Sequence, residues 1–189
     1  MGQLTWADVR RDWAKPPNLV TYARIGLLPV IWWLILMPEL LGWLGWCILL
    51  VAVLTDKVDG WLAKLHGGRW TTTLGKVLDS AADKVFILAI LIAVYFKAAD
   101  LSVLAAILVI GAREAVVTWV KSQMPVRSAV EAGRASMVLQ SAALLWYCFP
   151  PAWDLPEVWR SAAMWLAIGA SLTSGWVYVA EWRAAVRQA

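Results

Sequence analysis

From Asn18 onward the chain is a series of long apolar runs broken by short polar turns. Six of these runs, at about residues 18–37, 40–64, 74–96, 101–122, 132–149 and 158–182, approach the roughly 20 residues a helix needs to cross the hydrocarbon core of a bilayer. Pro38, the Gly67-Gly68 pair, Asp100, Pro125 and Pro150-Pro151 mark the turns between them. The apolar residues come in blocks rather than as one stripe per element, which is the pattern of helices surrounded by apolar material. Ahead of the runs, Leu4, Trp6, Val9 and Trp13 alternate with Asp8, Arg10, Arg11 and Asp12. That alternation predicts a short amphipathic helix lying in a membrane interface and ended by Pro16 and Pro17. The expected fold class is therefore all-α: a polytopic membrane protein with six transmembrane helices preceded by a short amphipathic interfacial helix. It forms a single domain over 1–189, with residues 1–15 interfacial and 18–182 forming the six-helix bundle.

Composition supports a lipid environment. Of 189 residues, 61% are hydrophobic, 15 are Trp and only 16% are charged, against about 25% charged in an average soluble domain. Trp43, Trp46, Trp153, Trp159, Trp176 and Trp182 fall near span ends, where an amphipathic ring suits the headgroup zone. The net charge of +4 does not indicate nucleic acid, because the cations are spread over short loops with no basic, aromatic-interleaved stripe. They report orientation instead. Arg10, Arg11, Lys15, Lys64, Arg69, Lys76, Lys121, Arg127, Arg134, Arg183 and Arg187 lie on the side of the termini, and only Lys97 and Arg160 lie opposite. The excess of positive charge inside then places both termini in the cytoplasm of an inner or plasma membrane. Arg24, Lys57, Lys84 and Arg113 remain within spans. The N-terminal residues have neither the pattern of a cleaved signal nor an acylation signal. Cys47 and Cys148 sit in apolar stretches, as packing residues do.

The chemistry concentrates in TDKVDGWLAKLHGGRWTTTLGKVLDSAADKV, Thr55 to Val85. Asp56 and Asp59 are spaced i,i+3, which sets them about 60° apart on a helix, and Asp79 and Asp83 are i,i+4, about 40° apart. Each pair shares a face, and helices joined by a short loop pack antiparallel, so both pairs are expected to converge at the cytoplasmic end of a shared cleft. Four uncompensated carboxylates in a membrane would cost on the order of 10 kcal/mol, somewhat less near the interface. Lys57 and Lys84, as sequence neighbours, point away from the carboxylate face. Divalent metal is the stronger compensation. Oxygen donors, with His66 the single histidine, favour Mg²⁺ or Mn²⁺ over zinc. The plainer alternative, solvated helix ends paired to lysines, explains one aspartate more easily than two same-face pairs. Gly60, Ala63 and Gly75 lie near the carboxylates and allow close approach of a ligand or helix.

The segment resembles the signature of the CDP-alcohol phosphatidyltransferases, DxxDGxxAR followed after about eight residues by GxxxDxxxD. Here it reads Asp56-Lys-Val-Asp59-Gly60-Trp-Leu-Ala63-Lys64 and Gly75-Lys-Val-Leu-Asp79-Ser-Ala-Ala-Asp83. Two features depart from it: Lys64 replaces Arg, keeping charge without the bidentate fork, and ten residues, Leu65 to Leu74, form the spacer. The resemblance implies that Asp56, Asp59 and Asp79 hold metal and the diphosphate of CDP-diacylglycerol. It further implies that Asp83 is the catalytic base and an additional metal contact, and that Gly60, Ala63, Lys64 and Gly75 contact the CDP-lipid. It is compatible with a homodimer.

Within that family, PNLVTYARIGLLPV (Pro17 to Val30), GARE (Gly111 to Glu114) and GRASMVLQ (Gly133 to Gln140) resemble patterns of the phosphatidylglycerophosphate synthases and related cardiolipin synthases. This implies phospholipid biosynthesis with sn-glycerol 3-phosphate as acceptor. An intramembrane Arg113 must pair or bind something. Glu114, next in sequence, is expected to share its face poorly. Arg113 with Arg134, and less directly Lys121, are candidates for the acceptor phosphate; the alternative pairs Arg113 with a site aspartate and leaves Arg134 as an ordinary cytoplasmic cation. Inositol phosphate, phosphatidylglycerol and serine are rival acceptors. A small transporter or proton pathway using membrane carboxylates is the rival of another class.

Overall fold

A computed structural model describes residues 16–37, 42–65, 73–123, 129–149 and 156–187, with side chains described for 19, 21–37, 43–55, 81–123, 130–149 and 156–187. Six helices follow one another: α1 Pro16–Leu36, α2 Gly42–Leu65, α3 Thr73–Ala98, α4 Leu101–Gln123, α5 Ala129–Tyr147 and α6 Glu157–Val186. The described residues contain only helices, turns and short connections. Each helix overlies one expected apolar run. By length and composition, α4 and α6 are long and apolar enough to cross a membrane, while Thr21–Leu36 and Trp43–Thr55 are shorter apolar stretches. The expected interfacial helix lies outside the described residues. The chain divides into two compact units, Met1–Ile90 and Leu91–Ala189.

In the first unit α1 begins on Pro16, whose missing N–H would be unpaired at a helix start in any case. Pro29 lies inside the same helix. It removes one backbone bond there, a break that membrane helices tolerate better than soluble ones. Thr21, Arg24, Ile31 and Leu34 form the buried stripe of α1. Their spacings of three and seven residues put them on one face. Packing of α1 on α2 is tight at Gly45, where an added β-carbon would lie 3.1 Å from Leu34 Cβ. Gly45 therefore serves packing within the chain. Trp32 ties α1 to α3, its indole N–H donating to the Ala89 carbonyl at 2.7 Å.

The second unit is built on α6, against which α4 and α5 both pack. Buried positions recur every three or four residues: Val103, Ala106, Ile110, Arg113, Val117 and Val120 on α4; Ser136, Gln140, Ala143, Leu144 and Tyr147 on α5; Met164, Ala167, Ser171, Ser174 and Tyr178 on α6. That rhythm lets side chains of one helix settle between those of the next. Outside the seam, large apolar side chains face outward, among them Leu108, Val116, Trp165, Leu166, Leu172 and Trp176. Small and polar residues interspersed among apolar ones inside, with bulky apolar residues outside, fit helices associating in lipid.

The α3–α4 junction is defined at residue level. Ala99 closes α3 with φ 49° and donates its N–H to the Tyr95 carbonyl at 2.8 Å, the left-handed stop commonly filled by glycine. Asp100 then caps α4, its Oδ1 accepting from the Ser102 N–H at 2.8 Å. Its Oδ2 accepts from Tyr147 Oη at 2.8 Å and from Ser161 Oγ at 3.2 Å. One carboxylate thus joins the start of α4, the end of α5 and the start of α6.

Candidate active site

Asp56, Asp59, Gly60, Ala63 and Lys64 belong to α2, and Gly75, Asp79 and Asp83 to α3. Both carboxylate pairs therefore lie on continuous helical backbone, as their spacing requires. The side chains of Asp56, Asp59, Ala63, Lys64 and Asp79, and the surroundings of Gly60 and Gly75, lie outside what the structure describes. Asp83 is described, and it has a partner that spacing alone does not reveal. Arg24 on α1 donates from Nη1 to Asp83 Oδ1 at 2.9 Å, with the two side chains 3% and 14% exposed. Local reading registers Arg24 only as a cation stranded in an apolar run. The signal that marks it is its register with the buried stripe of α1, one turn after Thr21 and seven residues before Ile31.

Removing either member would take away a buried opposite charge from the other, which is destabilising. Arg24 therefore neutralises and orients the Asp83 carboxylate and fixes α1 against α3. An all-oxygen donor set of four aspartates would suit a hard cation such as Mg²⁺ or Mn²⁺.

A second polar cluster occupies the seam of the other unit. Arg113 is 7% and Glu114 8% exposed, and Arg113 Nη1 donates to Glu114 Oε1. This corrects the expectation that adjacent residues share a face poorly. Helix neighbours differ by about 100°, and the buried sector of a packed helix is at least that wide. The long arginine stem then bends back to its neighbour. The described partners of Arg113 are consequently Glu114 and, across the seam, Ser174, whose Oγ accepts from Nη2 at 2.6 Å. Its Nε is buried with no hydrogen-bond partner among the described residues.

Two glycines give this guanidinium room. A β-carbon on Gly175 would lie 3.3 Å from Arg113 Cγ, and one on Gly133 would lie 3.0 Å from Tyr178 Oη and 3.5 Å from Arg113 Nη2. Gly133 is thus the α5 residue that approaches Arg113, whereas Arg134 lies on the exposed side of α5. Lys121 is exposed near the end of α4, with Nζ 5.3 Å from the centroid of the Tyr178 ring. Gln140, last residue of the GRASMVLQ segment, donates through Nε2 to Ser136 Oγ at 3.1 Å and Ser171 Oγ at 2.8 Å. It links α5 to α6 about one turn from Ser174.

Comparison with known proteins agrees with the family resemblance of the sequence. The model of the family described as CDP-alcohol phosphatidyltransferase matches residues 15–173. A CDP-diacylglycerol--glycerol-3-phosphate 3-phosphatidyltransferase of Bacillus subtilis is 29% identical over 191 residues, covering 89% of this chain and 95% of that protein. A cardiolipin synthase (CMP-forming) of Streptomyces coelicolor is 38% identical over 105 residues, covering 52% of this chain and 46% of that protein. The cardiolipin synthase (CMP-forming) of Rattus norvegicus is 42% identical over 71 residues, 38% of this chain and 22% of that protein. The chain thus spans less than half the length of these two cardiolipin synthases and nearly all of the Bacillus relative. With a family match over most of its length and the aspartate signature intact, the chain belongs to the CDP-alcohol phosphatidyltransferase family.

Proposed function

We propose that this protein transfers the phosphatidyl group of CDP-diacylglycerol to sn-glycerol 3-phosphate, forming phosphatidylglycerophosphate and CMP in phospholipid biosynthesis. The observation that carries the acceptor assignment is the buried Arg113. It is held by Ser174 and Glu114 beside the Tyr178 ring that Lys121 also approaches. Two cations against one carboxylate leave net positive charge suited to a phosphomonoester. The likeness to the glycerol-3-phosphate enzyme of Bacillus subtilis along nearly its whole length points the same way.

In this reading the whole chain is one catalytic membrane domain of six spans, with both termini and the active site cytoplasmic. Asp56, Asp59 and Asp79, with Asp83 as a further ligand, hold Mg²⁺ or Mn²⁺, which when bound stabilises charge on the transferring phosphoryl group and the departing CMP. Gly60, Ala63, Lys64 and Gly75 bind the CDP-lipid. Arg113 and Lys121 hold the acceptor phosphate and so present its free primary hydroxyl, with Arg134, on the exposed side of α5, left as a more distant cation. Asp83 accepts that hydroxyl's proton as its oxygen bonds to the phosphorus bearing diacylglycerol, and the bond from that phosphorus to CMP breaks. Arg24 orients Asp83 for this role.

The second reading takes phosphatidylglycerol as acceptor. It rests on the higher identity to cardiolipin synthases over short segments. The test is CMP release from CDP-diacylglycerol by purified protein with Mg²⁺ or Mn²⁺, comparing glycerol 3-phosphate, phosphatidylglycerol, inositol phosphate and serine. Release only with glycerol 3-phosphate is expected. Release only with phosphatidylglycerol selects the second reading, and none with any acceptor counts against phosphatidyl transfer.

A further inference from the structure

Tyr178 is 2% exposed in the seam of the second unit, although a phenol carries a hydroxyl that is costly to bury. Its surroundings are cationic. Arg113 Cζ lies 5.9 Å and Lys121 Nζ 5.3 Å from the ring centroid, both within the range over which an aromatic ring attracts a cation. Ser174, one turn earlier on α6, accepts from Arg113 Nη2, and Gly175 between them leaves room for the arginine stem. On α5, Gly133 lets the Tyr178 hydroxyl approach closely. Val117 and Val120 pack on Tyr178, with Trp182 against the same cluster. The ring is therefore held by apolar contacts, with the buried Arg113 and, two turns later on α4, the exposed Lys121 placing their cationic groups against it.

We propose that Tyr178 is a positioning residue for the acceptor phosphate site: its ring holds the Arg113 and Lys121 cations near each other, so that they meet one phosphate together. The proposal rests on the reading that Arg113 and Lys121 bind the acceptor phosphate. Without the ring, Arg113 stays held by Glu114 and Ser174 while the exposed Lys121 loses the face that keeps it near, and the entropy of gathering it back opposes acceptor binding. The part of Tyr178 that matters is its π face, since Phe keeps that face and Leu does not.

The experiment measures KM and kcat for both substrates in wild type, Tyr178→Phe, Tyr178→Leu and Arg113→Lys. Tyr178→Leu is expected to raise the KM for glycerol 3-phosphate about tenfold, leaving the KM for CDP-diacylglycerol unchanged. Tyr178→Phe is expected to stay within about threefold of wild type for both substrates. Inorganic phosphate, tested as a competitive inhibitor against glycerol 3-phosphate, should lose potency in parallel in the Leu variant. A role limited to packing would instead lower the yield of folded enzyme or alter both KM values together, and either result overturns the proposal. If Tyr178→Leu does not fold, Tyr178→Met fills comparable volume without a ring and carries the same expectation; failure of both to fold assigns Tyr178 to packing alone and overturns it. Arg113→Lys separates the two levels of inference. An unchanged acceptor KM in that variant removes Arg113 from the acceptor site, whereas a raised value there with no change in Tyr178→Leu removes only Tyr178.

Discussion

Arg24 and Asp83 show how one pair links packing and chemistry at the residue scale. Arg24→Met removes the cation paired with Asp83 and is expected to lower stability, read as a lower denaturation midpoint in detergent, with CMP release falling as well. Asp83→Asn keeps size and one acceptor oxygen for Arg24 but loses the negative charge and the ability to take a proton. It should bind CDP-diacylglycerol and metal yet lose turnover in single-turnover assays, and near-normal activity would remove Asp83 from the base role. Gly133 yields a sharper packing prediction. Gly133→Ala puts a methyl 3.0 Å from Tyr178 Oη, an overpacking worth about 1–2 kcal/mol. Tyr178→Phe deletes the atom that is met and should recover most of that loss in the double variant; equal losses with and without the hydroxyl would refute the steric account.

At the scale of elements, apolar run length identified the helices well. The run expected at 101–122 became α4 Leu101–Gln123, and that at 158–182 became α6 Glu157–Val186. Partners across helices were not legible. Arg24 and Asp83 are 59 positions apart, and no local pattern couples two such residues. The Arg113–Glu114 pair was misjudged for a different reason, because a helical wheel follows the Cα–Cβ direction and ignores the reach of a long side chain. The aspartate signature, by contrast, was legible as chemistry, since its spacing is itself a local property.

The Asp100 junction carries a pH prediction. Burial raises the carboxyl pKa, but hydrogen bonds from the Ser102 backbone N–H and the Tyr147 and Ser161 hydroxyls outweigh it and hold the value below the ordinary one. A depressed folded-state pKa contributes stability that is present above the unfolded value, about 3.9, and is lost as pH falls through the folded value. The melting-temperature gap between wild type and Asp100→Asn should therefore be constant from about pH 7 to 5 and shrink below about pH 4. A gap independent of pH would show that the charge contributes nothing.

For the whole molecule, the distribution of cations predicts that a reporter fused after Ala189 is active in the cytoplasm; activity confined to the other side would overturn that topology. The buried polar seam also bears on how the chain is made. Arg113 and Glu114 belong to a helix synthesised early in the second unit, yet Ser174, which receives the Arg113 guanidinium, follows 61 positions later, and Gln140 waits 31 positions for Ser171. Until α6 leaves the ribosome, these groups have no seam to enter and face lipid or the insertion machinery. A chain halted before α6 would then leave Arg113 and Gln140 without the hydroxyls of Ser174 and Ser171, so delivery of the last helix is what completes the polar seam.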